Sequence, residues 1–240
     1  MQAAILATER LAKRFGGVVA ADQVSLAVAA GEFRCIIGPN GAGKSTLFAL
    51  LGGIYPPDQG RVLLKGIDVT ADPAFRRVRR GLGLTFQTNR AYHALSIRQN
   101  LEIPLRPSGS AGADARNDRL SYALGRFDLD PADERPASLL PHHQLQWLEI
   151  AMALASGPDV LLLDEPTAGM SPDETLHTAR VLQHLNGLGL TIIVIEHDIA
   201  FVREVARRVT VLHQGRVFAE GTMESITAHE DVRRIYLGRA

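Results

Sequence analysis

Four short runs are apolar on both faces: Phe33 to Ile37, Val160 to Leu163, Thr191 to Ile195 and Val209 to Leu212, with helix-like stretches between several of them. Runs of this length without polar alternation suit central strands of a sheet covered by helices on both sides. Val18 to Val28 and Arg61 to Val69 alternate more, which predicts an antiparallel flank. Gly83-Leu84-Thr85-Phe86 reads as a further strand. Between Thr88 and Ala155 the pattern turns helical, with one break at Arg106-Pro107-Ser108-Gly109-Ser110-Ala111-Gly112, a stretch rich in turn formers. The expectation is an α/β core formed by residues 1–87 and 155–221, an inserted helical lobe over 88–154 with a flexible loop, and a tail over 222–240. That tail carries a short helical pattern at Val232 to Leu237. No internal repeat or low-complexity tract divides the chain, so 1–240 reads as a single domain.

Composition narrows the function classes. A chain of 240 residues can bury a substantial core without extra staples. Acidic and basic residues number 26 each, so no strong net field draws the protein to nucleic acid or to an anionic membrane. The single cysteine, Cys35, cannot form an internal disulfide; set among Phe33, Ile36 and Ile37, it reads as a structural core thiol in a reducing, cytoplasmic compartment. Met1 to Gly17 lacks the apolar centre of a secretory signal, and no eighteen consecutive apolar residues occur. Any membrane role is expected through a partner.

Candidate chemistry begins at Gly38-Pro39-Asn40-Gly41-Ala42-Gly43-Lys44-Ser45-Thr46, which matches G-x-x-x-x-G-K-[ST] after a strand and before the helix-like Thr46 to Leu51. Glycines let consecutive N–H groups curl around an anion, and the following helix adds the positive end of its dipole. Lys44 is expected to reach the β- and γ-phosphates of ATP and Ser45 to offer its hydroxyl to Mg²⁺. Val160-Leu161-Leu162-Leu163 ends in Asp164-Glu165, which places one carboxylate to anchor the Mg²⁺ shell and a second to orient and deprotonate water. Taken alone, that pair also fits a polar cap on a strand end. Thr191 to Ile195 ends in Glu196-His197-Asp198, which brings His197 to the same end of the sheet, where it can contact the γ-phosphate. Gln87, just after its strand, is placed to touch Mg²⁺ or the attacking water. The fold expected is thus a P-loop NTPase, with a RecA-like core, an antiparallel β flank and the helical lobe.

In order and spacing these motifs resemble the ATP-binding subunit of ABC transporters across nearly the whole chain. The resemblance implies that Phe15, in Lys13-Arg14-Phe15-Gly16-Gly17, stacks on adenine, although a core or strand-end Phe fits the same pattern. It also implies a head-to-tail pair of subunits, in which each ATP is closed by the other subunit's signature, usually LSGGQ. Here that stretch is Leu139-Leu140-Pro141-His142-His143-Gln144, followed by a helix-like Leu145 to Leu154. Pro141 replaces the serine hydroxyl and His143 replaces a glycine, which removes a donor and adds bulk; a protonated His142 or His143 would be the replacement contact. Such a degenerate signature serves the partner's nucleotide, so the expectation is a heterodimer with a second, different ABC ATPase subunit.

Gln146-Trp147-Leu148-Glu149-Ile150, Ala168-Gly169-Met170-Ser171-Pro172 and the ending Tyr236-Leu237-Gly238-Arg239 look like bacterial importers of branched-chain amino acids, with urea or short amides as the alternative. That resemblance implies two transmembrane permease subunits, a periplasmic binding protein acting indirectly, and a peripheral place on the cytoplasmic face of the inner membrane. Thr88 to Leu101, with Tyr92, Leu95 and Ile97, is the expected permease contact or, alternatively, an amphipathic segment packed on its own lobe. Repair and ribosomal ABC ATPases are disfavoured, because the chain offers one cassette with about fifty residues between Gln87 and Leu140. A nucleotide sensor with a decayed signature stays open beside the hydrolase.

Overall fold

The computed structural model describes residues 4–85, 91–104 and 113–237. Two sheets organise it. The first has four strands in the order β2-β1-β4-β5, all antiparallel: β1 (Ala4–Phe15), β2 (Val18–Ala29), β4 (Gln59–Leu64) and β5 (Ile67–Asp68). The second has six, in the order β10-β9-β3-β8-β7-β6: β3 (Phe33–Ile37), β6 (Leu82–Leu84), β7 (Val160–Asp164), β8 (Thr191–Ile195), β9 (Arg208–His213) and β10 (Arg216–Gly221). Strands β9, β3, β8, β7 and β6 run parallel, and β10 closes the edge antiparallel to β9.

The continuous apolar runs behave as their pattern predicts. Strands β3, β7 and β8 are buried at every position, because helices or the antiparallel flank cover both faces. One core joins β3, β7 and β8 to the helical elements, and a second, around Leu47, Leu50, Leu51 and Phe48, joins the sheet to the antiparallel flank. Cys35 is buried in the first of these cores, and burial pushes its thiol far above the ordinary range, so it is inert as a nucleophile.

Within the antiparallel flank the two alternating segments are not direct neighbours; β1 lies between them and pairs with both. The alternation of β1 is broken by bulges and by Arg10 at φ 45°, which hides the strand from a period-two reading.

Helices supply the covering layers: α1 (Lys44–Gly52), α2 (Ala74–Arg79), α3 (Ile97–Glu102), α4 (Ala113–Arg126), α5 (His142–Ala155), α6 (Pro172–Gly187), α7 (Ile199–Val205), α8 (Met223–Ala228) and the single turn α9 (Glu230–Val232), which continues as a π-helical turn over Arg233–Leu237. Several starts are set by local chemistry. Ser171 caps α6, with Pro172 in its first turn and Glu174 completing a capping box, and Ser96 with Gln99 does the same for α3. Helix α5 begins differently: Pro141 occupies the cap position and offers no side-chain hydrogen bond. The turn-rich stretch 106–112 lies outside the described residues, and among the described residues no helix is long and apolar enough to cross a membrane.

Candidate nucleotide-binding and hydrolytic site

In a sheet of parallel strands the loops that follow the strands collect at one end, and those loops carry the candidate chemistry. Strand β3 leads into the loop at Gly38 to Gly43, β8 into His197 and β7 into Asp164 and Glu165; β8 lies between the other two, so His197 stands between the phosphate loop and the acids.

The loop's shape depends on glycine. Gly38, Gly41 and Gly43 have φ of 154°, 79° and 98°, values that favour glycine. A Cβ on Gly43 would lie 2.2 Å from the carbonyl oxygen of Ala20, and one on Gly38 would lie 2.3 Å from that of Leu212. Close backbone packing therefore fixes the loop: Gly215 donates its N–H to Ala42 O at 2.9 Å, and Asp22 N donates to Gly215 O at 2.8 Å. The buried Lys44 opens α1 and donates to the carbonyls of Gly38 at 2.7 Å and Pro39 at 3.1 Å. Burial lowers its pKa, an effect countered by the nearby Glu165 and Asp164. A cleft of about 470 Å³ runs between Val18, Val19 and Ala20 on one side and Asn40 to Thr46 with Glu165 on the other.

Phe15 is 44% exposed at the end of β1, with Tyr55 edge-on at 5.5 Å and the Lys13 ammonium 5.6 Å from its ring centroid. It is therefore not a core residue, and it presents an aromatic ring to solvent. Tyr55, Val18 and Val19 were not singled out in the sequence; they reach the site only through the pairing of β1 with β2 and the packing of the turn after α1.

Asp164 ends β7 and is buried. Its carboxyl is pushed up to about 6, first by burial and then by the charge of Glu165, with Lys44 pulling the other way. Glu165 sits at φ 49°, a left-handed conformation rare for a side-chain-bearing residue, and its N–H donates to Ile195 O at 2.9 Å. Its Oε1 lies 3.5 Å from Nδ1 of His197, which is 60% exposed. The donor set fits Mg²⁺. Ser45 and Asp164 are the protein groups on hand, the paired acids hold excess negative charge, and magnesium is usually completed by waters and phosphate oxygens. Gln87 lies outside the described residues.

The stretch expected to be the signature, Leu140 to Gln144, is engaged with its own chain. His143 Nδ1 lies 2.7 Å from Glu174 Oε1 at the start of α6, and its ring meets Trp147 edge-on at 4.8 Å. Leu140 and Gln144 are half-buried, whereas Pro141 and His142 are exposed. The His142 ring lies beside Gly169, within van der Waals reach of a Cβ placed there. Behind them, Gln146 Nε2 donates to Ala168 O at 2.9 Å, and Trp147 Nε1 donates to Thr178 Oγ1 at 2.8 Å.

Sheet order, phosphate loop and acid-tipped strand define a P-loop nucleotide-binding protein. Comparison with known proteins specifies it further. A family model described as ABC transporter matches residues 21–168. The lipopolysaccharide export system ATP-binding protein LptB of Escherichia coli is 34% identical over 235 residues, 98% of each chain. The high-affinity branched-chain amino acid transport ATP-binding protein LivG of the same organism is also 34% identical, over the full length of both chains. Among solved structures, a nucleotide-free ATP-binding cassette from an ABC transporter superposes with a TM-score of 0.85 at 28% identity, covering 97% of this chain and 98% of that one. The ADP conformation of such a cassette gives 0.84 at 29% identity, over 98% and 99% of the chains. The chain belongs to the ABC transporter family, as an ATP-binding subunit that works with transmembrane permease partners.

Proposed function

We propose that this subunit binds Mg-ATP at Gly38 to Thr46 and hydrolyses it, with Ser45 and Asp164 toward the metal, Glu165 as the base that orients and deprotonates water, and His197 toward the γ-phosphate. The observation that carries this is the convergence of Lys44, Asp164, Glu165 and His197 on one end of the sheet, with Glu165 and His197 3.5 Å apart. A positioned base contributes about 10² to 10⁴-fold to rate, or about 3 to 5 kcal/mol. Single-turnover hydrolysis by the assembled complex, with wild type set against Glu165→Gln, tests it: the variant binds ATP and turns over very slowly. Equal rates would leave a nucleotide sensor in place of a hydrolase.

The same reading pairs this chain with a second, different ATPase. His143 is turned onto Glu174, and Pro141 caps α5 without a hydroxyl, so the signature face offers little to a partner's phosphate. In that arrangement the degenerate signature weakens the partner's site, while this chain's own site depends on the signature the partner brings. Stoichiometry and subunit identity in the purified complex decide between hetero- and homodimer.

For the cargo, the likeness to LivG favours import of branched-chain amino acids or related small solutes, with urea or short amides as the alternative. A periplasmic binding protein and a peripheral site on the cytoplasmic membrane face belong to that reading. LptB, at the same identity, favours export. Uptake of labelled leucine and urea by cells with and without the subunit separates the three.

A further inference from the structure

Glu196 is 1% exposed; no lysine or arginine among the described residues is ion-paired with it, and the ring of His197 lies beside it, with Nδ1 3.7 Å from Oε2. Buried carboxylates persist where donors surround them, and here four do. Oε1 accepts from Thr167 Oγ1 at 2.5 Å and from Thr167 N at 3.3 Å. Oε2 accepts from His197 N at 2.9 Å and from Asp198 N at 3.3 Å. The two oxygens thus divide between two loops. One loop follows β7 and begins at Glu165; the other follows β8 and carries His197.

We propose that Glu196 is a positioning residue that locks these loops in register, so that Glu165 and His197 face each other across one reaction site. Resting on the assignment of those two residues to ATP hydrolysis, the proposal goes beyond it by naming what holds them. Geometry alone gives the direction of the effect, since small misplacement of reacting groups can cost about 10²-fold in rate while binding contacts elsewhere survive.

The substitutions follow from the donors. Glu196→Leu keeps the volume but leaves four donors unpaired. Glu196→Gln offers its oxygen to His197 and Asp198 and its amide to the Thr167 hydroxyl, which can rotate to accept. Thr167→Val removes the shortest of the four contacts and leaves the carboxylate in place.

The test is steady-state ATP hydrolysis by the transporter complex, purified from native membranes through a tag on this chain and assayed well below each variant's melting temperature. Glu196→Leu should lower kcat by about tenfold or more with KM for Mg-ATP within about threefold, and Glu196→Gln should restore most of the loss. Thr167→Val should lower kcat alone, and add little when combined with Glu196→Leu, because both act through one contact. A kcat for Glu196→Leu within twofold of wild type overturns the proposal, as does a KM that rises as far as kcat falls, or a double variant with fully additive losses. Where Glu196→Leu does not fold, an unchanged kcat in Thr167→Val overturns it. Glu165→Gln runs alongside: equal hydrolysis by that variant and wild type refutes the underlying assignment, a result separate from the Glu196 comparisons.

Discussion

Arg77, on α2, is buried, and its guanidinium closes the far end of the helix that carries Lys44. Nη1 donates to Leu50 O at 2.6 Å and Leu51 O at 2.8 Å, in the last turn of α1, while Nε and Nη2 reach Asp72 O at 2.9 Å and Thr70 O at 3.1 Å. Helix ends leave carbonyls without internal partners, and here a buried cation takes them up. Burial lowers its pKa to about 10, partly offset by Asp72 and Asp68, so it stays charged at neutral pH. Arg77→Met keeps the stem and removes the fork. Thr70 and Asp72 are only half-buried residues, so their carbonyls are taken as free to turn to water, which leaves the two α1 carbonyls to carry the cost. At about 1.5 to 3 kcal/mol per hydrogen bond to a charged group, less the desolvation no longer required, the loss comes to about 3 to 4 kcal/mol. For a chain of this size that is a fall in Tm of about 6 to 16 °C. Arg77→Lys should lose most of it, because an ammonium cannot span four carbonyls in a fixed plane. Thermal unfolding followed by circular dichroism measures both; an Arg77→Met protein melting within about 3 °C of wild type refutes the reasoning.

Gly43→Ala forces a Cβ against the Ala20 carbonyl at φ 98°, and should weaken ATP binding by tenfold or more, roughly, in a titration with a fluorescent nucleotide. Phe15→Ala should raise the dissociation constant by about 2- to 12-fold, the equivalent of one aromatic stack, with little change in Tm; an unchanged constant would remove Phe15 from the site. Asp164→Asn should raise the Tm of the nucleotide-free protein at pH 7. The carboxyl's folded pKa of about 6 lies above its unfolded value, so the native state binds the extra proton between those values and stability falls as pH rises through that window. The difference between variant and wild type should therefore shrink as pH drops from 7 to 4, and a difference independent of pH would contradict it.

What could be read from the sequence was whatever chemistry is local. The apolar runs of β3, β7 and β8 needed no tertiary information, since every position in them is buried. The phosphate loop and the acids at the end of β7 are likewise defined within a few residues. By contrast, β1 hides behind its bulges, and β10, exposed at alternate positions, carries only the short apolar run Val217 to Ala219 between Arg216 and Glu220. The parts of the site brought from far along the chain were also illegible: Val18 to Ala20 against the loop, Gly215 bonded to Ala42, and Thr167 bonded to Glu196. His143 illustrates the limit. Its bulk at a position where the resembled family has glycine was visible, but its engagement with Glu174 depends on the packing of α5 against α6.

The short loop from Glu165 to Ser171 is held from two directions. On the sheet side, Thr167 is bonded to Glu196 and Glu165 N–H to Ile195 O. On the helical side, Gln146 of α5 holds Ala168 O, His143 of α5 holds Glu174, and Glu174 in turn accepts from Ser171 N at 2.8 Å. A displacement of α5 relative to the sheet therefore has little slack to disappear into: between Ala168 and Thr167 there is one peptide link, and planar peptides do not stretch. Rotation about the backbone dihedrals of Ala168 takes up part of it; the rest is borne by the bonds to Ala168 and Glu174 or reaches Thr167 and its bonds to Glu196. Since Glu196 also holds His197 N, a continuous series of contacts within one chain runs from His143 and Gln146 of α5 to the loops of both residues assigned to hydrolysis.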